Sequence, residues 1–203
     1  NALKVSFDWK VRKNFTSGSK EEKGHKVIHF KEAFHGRTGY TLSLTNTMDP
    51  RKTMYYPKFD WPRVTNPKMI FPIEDHITEV REAEKRAVDE IKSSIDLYGG
   101  DIASMIIEPI QGEGGDNQFR REFFVELRRI CDKNGIMLIF DEVQSGCGIT
   151  GKMWAHEHFG VAPDLMAFGK KVQVCGVMSS ERVDEVEKNC FRESSRINST
   201  WGS

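Results

Sequence analysis

Three short apolar runs in this sequence end in side chains that can move protons or attack carbon. Ile102–Ile107 is followed by Glu108 and Pro109, the run 136–140 by Asp141 and Glu142, and the run 164–168, past Gly169, by Lys170 and Lys171. In an open α/β sheet, ligands bind at the carboxyl ends of the strands. If these runs are neighbouring strands, a carboxylate and an amine face one cleft. A positioned carboxylate holds or takes a proton, and a lysine amine serves as base or nucleophile. Spacing alone names no reaction. A single charge after a strand reads more readily as a solvated loop residue or a helix cap; the case rests on the three together.

Other segments imitate functional motifs less well. GCGITG (146–151) has the spacing of a dinucleotide fingerprint, but it starts several residues after the run 136–140 and no clear long helix follows. Gly146 to Lys152 also fits a phosphate loop, yet Met153 stands where Ser or Thr would hold magnesium. These glycines read as permitting tight turns near a site. His156 and His158 flank Glu157, and two residues apart they share no helix face, so they make a poor metal pair. The four cysteines, Cys131, Cys147, Cys175 and Cys190, contain no C-x-x-C pair, so neither a zinc site nor a disulfide framework is suggested.

The elements that must position these groups are legible in part. Residues 74–98 carry one apolar stripe, Ile77, Val80, Ala83, Ala87, Ile91 and Ile95, which predicts a helix ended by Gly99 and Gly100. A second amphipathic helix is predicted over 122–133, ending near Gly135, and a short one over 181–189. Strands are predicted at Lys26–Phe30, Ile102–Ile107, 136–140, 164–168 and Gly176–Ser179. Residues 1–15 fit both periods: Leu3, Phe7, Val11 and Phe15 suit a helix face, whereas Leu3, Val5, Phe7, Trp9 and Val11 alternate as in a strand. Residues 35–73 hold five prolines and read as an ordered loop region packed by Tyr55, Tyr56, Phe59 and Trp61. Strands apolar on both faces that alternate with helices imply an α/β fold, a mostly parallel sheet sandwiched by helices.

Bulk properties narrow the class. The chain has 203 residues, enough for one substantial core. Lys plus Arg and Asp plus Glu are both 30, so net charge gives no case for nucleic acid or an anionic membrane. No apolar run is long enough to span a bilayer. A reduced, cytoplasmic setting is the expectation. The chain opens on Asn1 and ends without a polar tail, which reads as a piece of a longer protein.

In order along the chain stand FHGRTG (34–39), EPIQGEGG (108–115), DEVQSGCGITG (141–151) and PDLMAFGK (163–170). This series resembles the class III (ω-) aminotransferases of pyridoxal-phosphate (PLP) fold type I, over nearly the whole chain. TLSLTN (41–46), PKFDWP (57–62), GKKVQVCG (169–176) and NSTW (198–201) are similar to its lysine-specific members. The resemblance implies pyridoxal 5'-phosphate as cofactor, with Lys170 rather than Lys171 as the Schiff-base lysine and Asp141 as partner of the pyridine nitrogen. It places Gln144 near the phenolic oxygen, Phe34 against the ring, His35 in the same cofactor-binding set, and Thr200 on the cofactor phosphate of the neighbouring subunit. Arg37 corresponds to a substrate-carboxylate clamp, Glu113 to a gate between two substrates, and Glu108 to a carboxylate near the cofactor with no fixed role. Ser145 stands where Thr is commoner, and Val172 where Thr is expected.

The implied activity is transfer of the terminal amino group of L-lysine to 2-oxoglutarate by a homodimer in ping-pong fashion. Ornithine or 4-aminobutyrate is the alternative donor. A nucleotide-binding module on 146–152 and an inactive fragment are rival readings from other classes. By the same resemblance, residues 1–203 are a partial PLP-binding large domain. Its phosphate loop is expected before Asn1, making 1–15 the helix that leads from it. A small carboxy-terminal domain, with an arginine that pairs with the gate, is expected after Ser203. The piece alone is then expected not to turn over.

Overall fold

A computed structural model describes residues 1–197. Six strands form one sheet: β1 (Lys26–Phe30), β2 (Arg63–Val64), β3 (Ile102–Ile107), β4 (Met137–Asp141), β5 (Leu165–Phe168) and β6 (Gly176–Ser179). Their spatial order is β2-β1-β3-β4-β5-β6. All neighbours are parallel except β5 and β6. The helices are α1 (Ala2–Thr16), α2 (Gly39–Leu44), α3 (Ile73–Tyr98) and α4 (Arg121–Asn134), with short 3-10 turns between elements.

The central strands divide their side chains between two cores, as a period of two requires. Met105 and Ile107 of β3 and Leu138 and Phe140 of β4 pack with Ala87 and Ile91 of α3 and Phe123, Phe124 and Leu127 of α4. The intervening Ile106, Met137 and Ile139 pack with Leu3, Val5 and Trp9 of α1. Every residue of β3 and of β4 is buried, which is why both read as nearly continuous apolar runs, broken by Ser104 and ended by Asp141. Full burial of one such side chain contributes about 1.5–3 kcal/mol. The covered parallel centre is thereby held rigid under the loops at its carboxyl edge.

The ambiguity of 1–15 resolves as a helix. Ser6, Asp8 and Lys10 are buried along with Leu3, Val5 and Trp9, so α1 carries no clean apolar stripe. Its polar residues have partners instead. Ser6 Oγ donates to Ser104 Oγ of β3 at 3.0 Å, and Lys10 Nζ donates to Gly135 O at 2.7 Å.

Several expectations need correction. Residues 35–73 contain α2 and β2; β2 is two residues long and flanked by prolines, too short for a pattern to show. Tyr55 and Tyr56 are 92% and 57% exposed and join no aromatic pair among the described residues. The aromatic cluster is Phe7, Tyr40, Phe59 and Trp61, with Phe59 stacked on Trp61 at 4.9 Å. The helix expected over 181–189 is only the 3-10 turn Glu181–Glu185. The buried Asn189 amide donates to Val183 O and Val186 O, taking carbonyls that a longer helix would pair with its own N–H groups.

Candidate active site

The carboxyl edge of the sheet brings together groups far apart in sequence. Asp141 ends β4, paired with Ala167 of β5. Its Oδ1 accepts the Val143 N–H at 3.1 Å, and its Oδ2 meets His35 Nδ1 at 2.8 Å. The His35 side chain is 1% exposed and that of Asp141 11%. Burial pulls the His35 pKa down, but the Asp141 hydrogen bond and the charges of Asp141 and Glu108 outweigh it, and the net shift is upward.

Glu108, just past β3, is buried and its Oε1 accepts the Phe34 N–H at 2.8 Å. Burial pushes its carboxyl up to about 7, with the His35 charge and the Phe34 N–H opposing and Asp141 and Glu113 reinforcing. Glu108, His35 and Asp141 thus form one electrostatically linked group. Next to it lies a cavity of about 210 Å³ whose lining includes His35, Asp141, Val143, Ala167, Phe168 and Cys175. A carboxylate held at both oxygens, with Val143 and Ala167 beside it, fits the protonated nitrogen of an aromatic ring.

Lys170 does not line that cavity. It is exposed, in the 3-10 turn after β5, and its Nζ donates to Gln144 Oε1 at 3.2 Å. Lys171 Nζ donates to the Gln144 backbone oxygen, so both lysines converge on Gln144. The expectation that the amine and the carboxylate face one cleft is met only to this extent: Gln144 stands three residues beyond Asp141 and carries the Lys170 contact. The Gln144 amide lies over Gly112, where an added Cβ would come within 2.5 Å of Nε2. Phe34 is half-buried, and Arg37 is exposed without an ion-pair partner among the described residues. Glu113 is paired with Lys52. Thr200 lies outside the described residues.

Parts of the site had no role assigned from the sequence, although Glu142 was marked by its place after a strand. Glu142, buried beside Asp141, accepts four hydrogen bonds: from Ser145 Oγ, from the N–H groups of Ala155 and His156, and from His156 Nδ1. Burial pushes its carboxyl up, but these donors outweigh it and hold it below the usual range. Gln111, fully buried, bonds the Asn66 and Asn117 amides and the Lys31 carbonyl. Thr45 binds the segment that carries His35. The roles of such residues are legible only once their partners are in place.

The 146–152 loop has no phosphate cradle. The Cys147 and Gly148 N–H groups bond Met153 O, that of Gly151 bonds Gly148 O, and that of Gly146 bonds Glu142 O. Amides so engaged cannot turn to a phosphate.

Residues 1–203 match the family described as aminotransferase class-III. The chain is 52% identical over 202 residues to the L-lysine-epsilon aminotransferase of Mycobacterium tuberculosis, covering 100% of this chain and 44% of that protein. It is 45% identical over 152 residues to the 4-aminobutyrate aminotransferase of Dictyostelium discoideum, covering 74% and 30%. The solved lysine aminotransferase from M. tuberculosis in its internal aldimine form superposes with a TM-score of 0.95 at 51% identity, over 100% of this chain and 46% of that one. The chain thus spans about half the length of the relatives it matches.

Proposed function

The chain belongs to the class-III aminotransferases, and on that premise we propose that the protein containing it transfers the terminal amino group of L-lysine to 2-oxoglutarate, giving glutamate and 2-aminoadipate 6-semialdehyde. The observation that carries this reading is the buried Asp141–His35 pair at the end of β4, beside a cavity of about 210 Å³. It fits the ring end of pyridoxal 5'-phosphate. When bound, that cofactor supplies an electrophilic carbon for amines and a ring that takes up electron density. Identity to a lysine-specific relative over the whole chain favours lysine over 4-aminobutyrate as donor.

In this reading Asp141 holds a proton at the ring nitrogen, and His35 keeps its carboxyl aimed. Lys170 supplies the amine that carries a proton at the reacting carbon, leaving Gln144 to do so. Gln144 stays near the phenolic oxygen, and Phe34 packs against the ring. Arg37, exposed and free of carboxylate partners among the described residues, clamps the substrate carboxylate as a bidentate guanidinium. Glu113 works as a gate for the second substrate. Thr200 of a neighbouring subunit reaches the phosphate, so the working form is a homodimer. Residues 1–203 are part of its large domain, and a cytoplasmic setting fits reduced cysteines.

Borohydride trapping tests the site. The chain is incubated with pyridoxal 5'-phosphate, reduced, digested and mapped by mass spectrometry. A pyridoxyl group on Lys170, absent in Lys170→Ala, is expected. A label on Lys171 alone, or scattered over surface lysines, would overturn the assignment. In the full-length protein, lysine-dependent formation of glutamate from 2-oxoglutarate tests the reaction.

A further inference from the structure

Among the described residues the His35 ring has a hydrogen-bond partner on one side only. Nδ1 meets Asp141 at 2.8 Å, whereas Nε2 is buried with no partner among them. A buried imidazole is usually fixed by bonds at both nitrogens. Here the backbone must fix it, yet the ladder past β1 ends at Lys31, whose N–H bonds Val64 O, and the Glu32 N–H goes to Asn46 Oδ1. Two side chains hold the amides from Phe34 to Gly36. Glu108 Oε1 accepts the Phe34 N–H at 2.8 Å. Thr45 Oγ1 accepts the His35 N–H at 3.0 Å and the Gly36 N–H at 3.2 Å, and donates back to Gly36 O at 2.7 Å.

We propose that Thr45 and Glu108 are positioning residues that act through His35: they hold three consecutive backbone N–H groups and so place the imidazole Nδ1 on Asp141. Thr45 is 2% exposed at the end of α2, and its own N–H is bonded to Thr41 O at 3.2 Å. It is anchored before it anchors anything else. Gly36 makes the turn possible: its φ is +134°, and an added Cβ would lie 2.3 Å from Thr41 Oγ1. The hydroxyl of Thr45 is the required group, because only a hydroxyl accepts and donates at one atom. Glu108, whose role the family resemblance leaves open, is buried close enough to His35 for its charge to raise the His35 pKa. The clamp stands on the geometry alone; its consequence for a cofactor ring nitrogen rests on the proposed function.

The test is histidine side-chain nitrogen NMR of the chain itself, titrated with pH. Charged or titratable groups facing His35 are Asp141 at the end of β4, Glu108 after β3, His29 of β1, and the Asn1 amino group on the same cavity. Burial and Arg63 push His29 down to about 3, so it stays neutral through the range that matters. Thr45→Val is expected to lower the His35 midpoint by about one pH unit and to speed exchange of its Nδ1 proton about tenfold. Thr45→Ser is expected to match the parent. Glu108→Gln keeps an oxygen for the Phe34 N–H, so it should retain the Nδ1 bond and lower the midpoint through loss of charge. A folded Thr45→Val with the parent's His35 titration overturns the proposal, as does a Thr45→Ser as altered as Thr45→Val. Should Thr45→Val not fold, Glu108→Ala takes its place by removing the acceptor of the Phe34 N–H, and parent-like exchange of the His35 Nδ1 proton there overturns the proposal. None of these readouts needs turnover, so failure of transamination in the full-length protein leaves them intact.

Discussion

Replacing Glu142 with glutamine changes one oxygen to an NH2 group and should loosen the loop that carries Gln144. In the folded chain Glu142 Oε2 accepts from Ser145 Oγ at 2.8 Å and the Ala155 N–H at 2.9 Å. Oε1 accepts from the His156 N–H at 2.8 Å and His156 Nδ1 at 3.1 Å. The side chain of Glu142 is 0% exposed, so no water replaces a lost partner. An amide can satisfy one of these two sets, and its NH2 then faces a backbone N–H donor-to-donor. A buried donor left unpaired costs about 1–3 kcal/mol, and bonds to a charged group lie at the upper end. Glu142→Gln should therefore lose roughly 2–4 kcal/mol. For a chain of this size that corresponds to about 5–15 °C in Tm. Urea unfolding at pH 7 measures it directly. The pH dependence gives an internal check. The folded Glu142 pKa is depressed, so its contribution is present above its ordinary value of 4.5 and is lost as pH falls through the folded value. The parent's advantage over the variant should shrink on acidification below pH 4.5. A loss under about 0.5 kcal/mol at pH 7, the ordinary scatter of surface changes, would refute the reasoning.

Glu108 should behave in the opposite sense. Its folded pKa is raised to about 7, so its contribution is present below the ordinary value of 4.5 and is lost as pH rises through 7. Relative to the parent, Glu108→Gln should gain about 1–3 kcal/mol between pH 5 and pH 8 in urea titrations, and a difference independent of pH would contradict the shift. Gly112→Ala places a Cβ 2.5 Å from Gln144 Nε2 and should displace that amide, lowering pyridoxyl trapping on Lys170. Trapping at the parent level in a folded Gly112→Ala would show that Gln144 does not set the lysine. In the full-length protein, Arg37→Ala should cut kcat/KM for L-lysine about 100-fold through loss of a charged bidentate contact. An unchanged lysine rate would remove Arg37 from the carboxylate clamp.

The sequence by itself determined five of the six strands and the two long helices. Residues 137–140 are apolar without break and Ile102–Ile107 nearly so, interrupted by Ser104, because parallel strands covered on both faces have no solvent side to mark with polar residues. The stripe through Val80, Ala87 and Ile91 reads as a helix because α3 buries one face only. Asp141 and Glu108 were marked as candidates by their place after strands. The tertiary structure alone decided the rest. Helix α1 packs polar residues against the sheet, so neither period could win until Ser104 and Gly135 were there as partners. The pairing of His35 with Asp141 spans 106 positions, and the hold of Thr45 on His35 depends on a turn at Gly36 that no periodicity encodes. Hydrophobic pattern is a local record of which side faces the core. A hydrogen bond between distant side chains leaves no such record, because its partners meet only when the chain has folded.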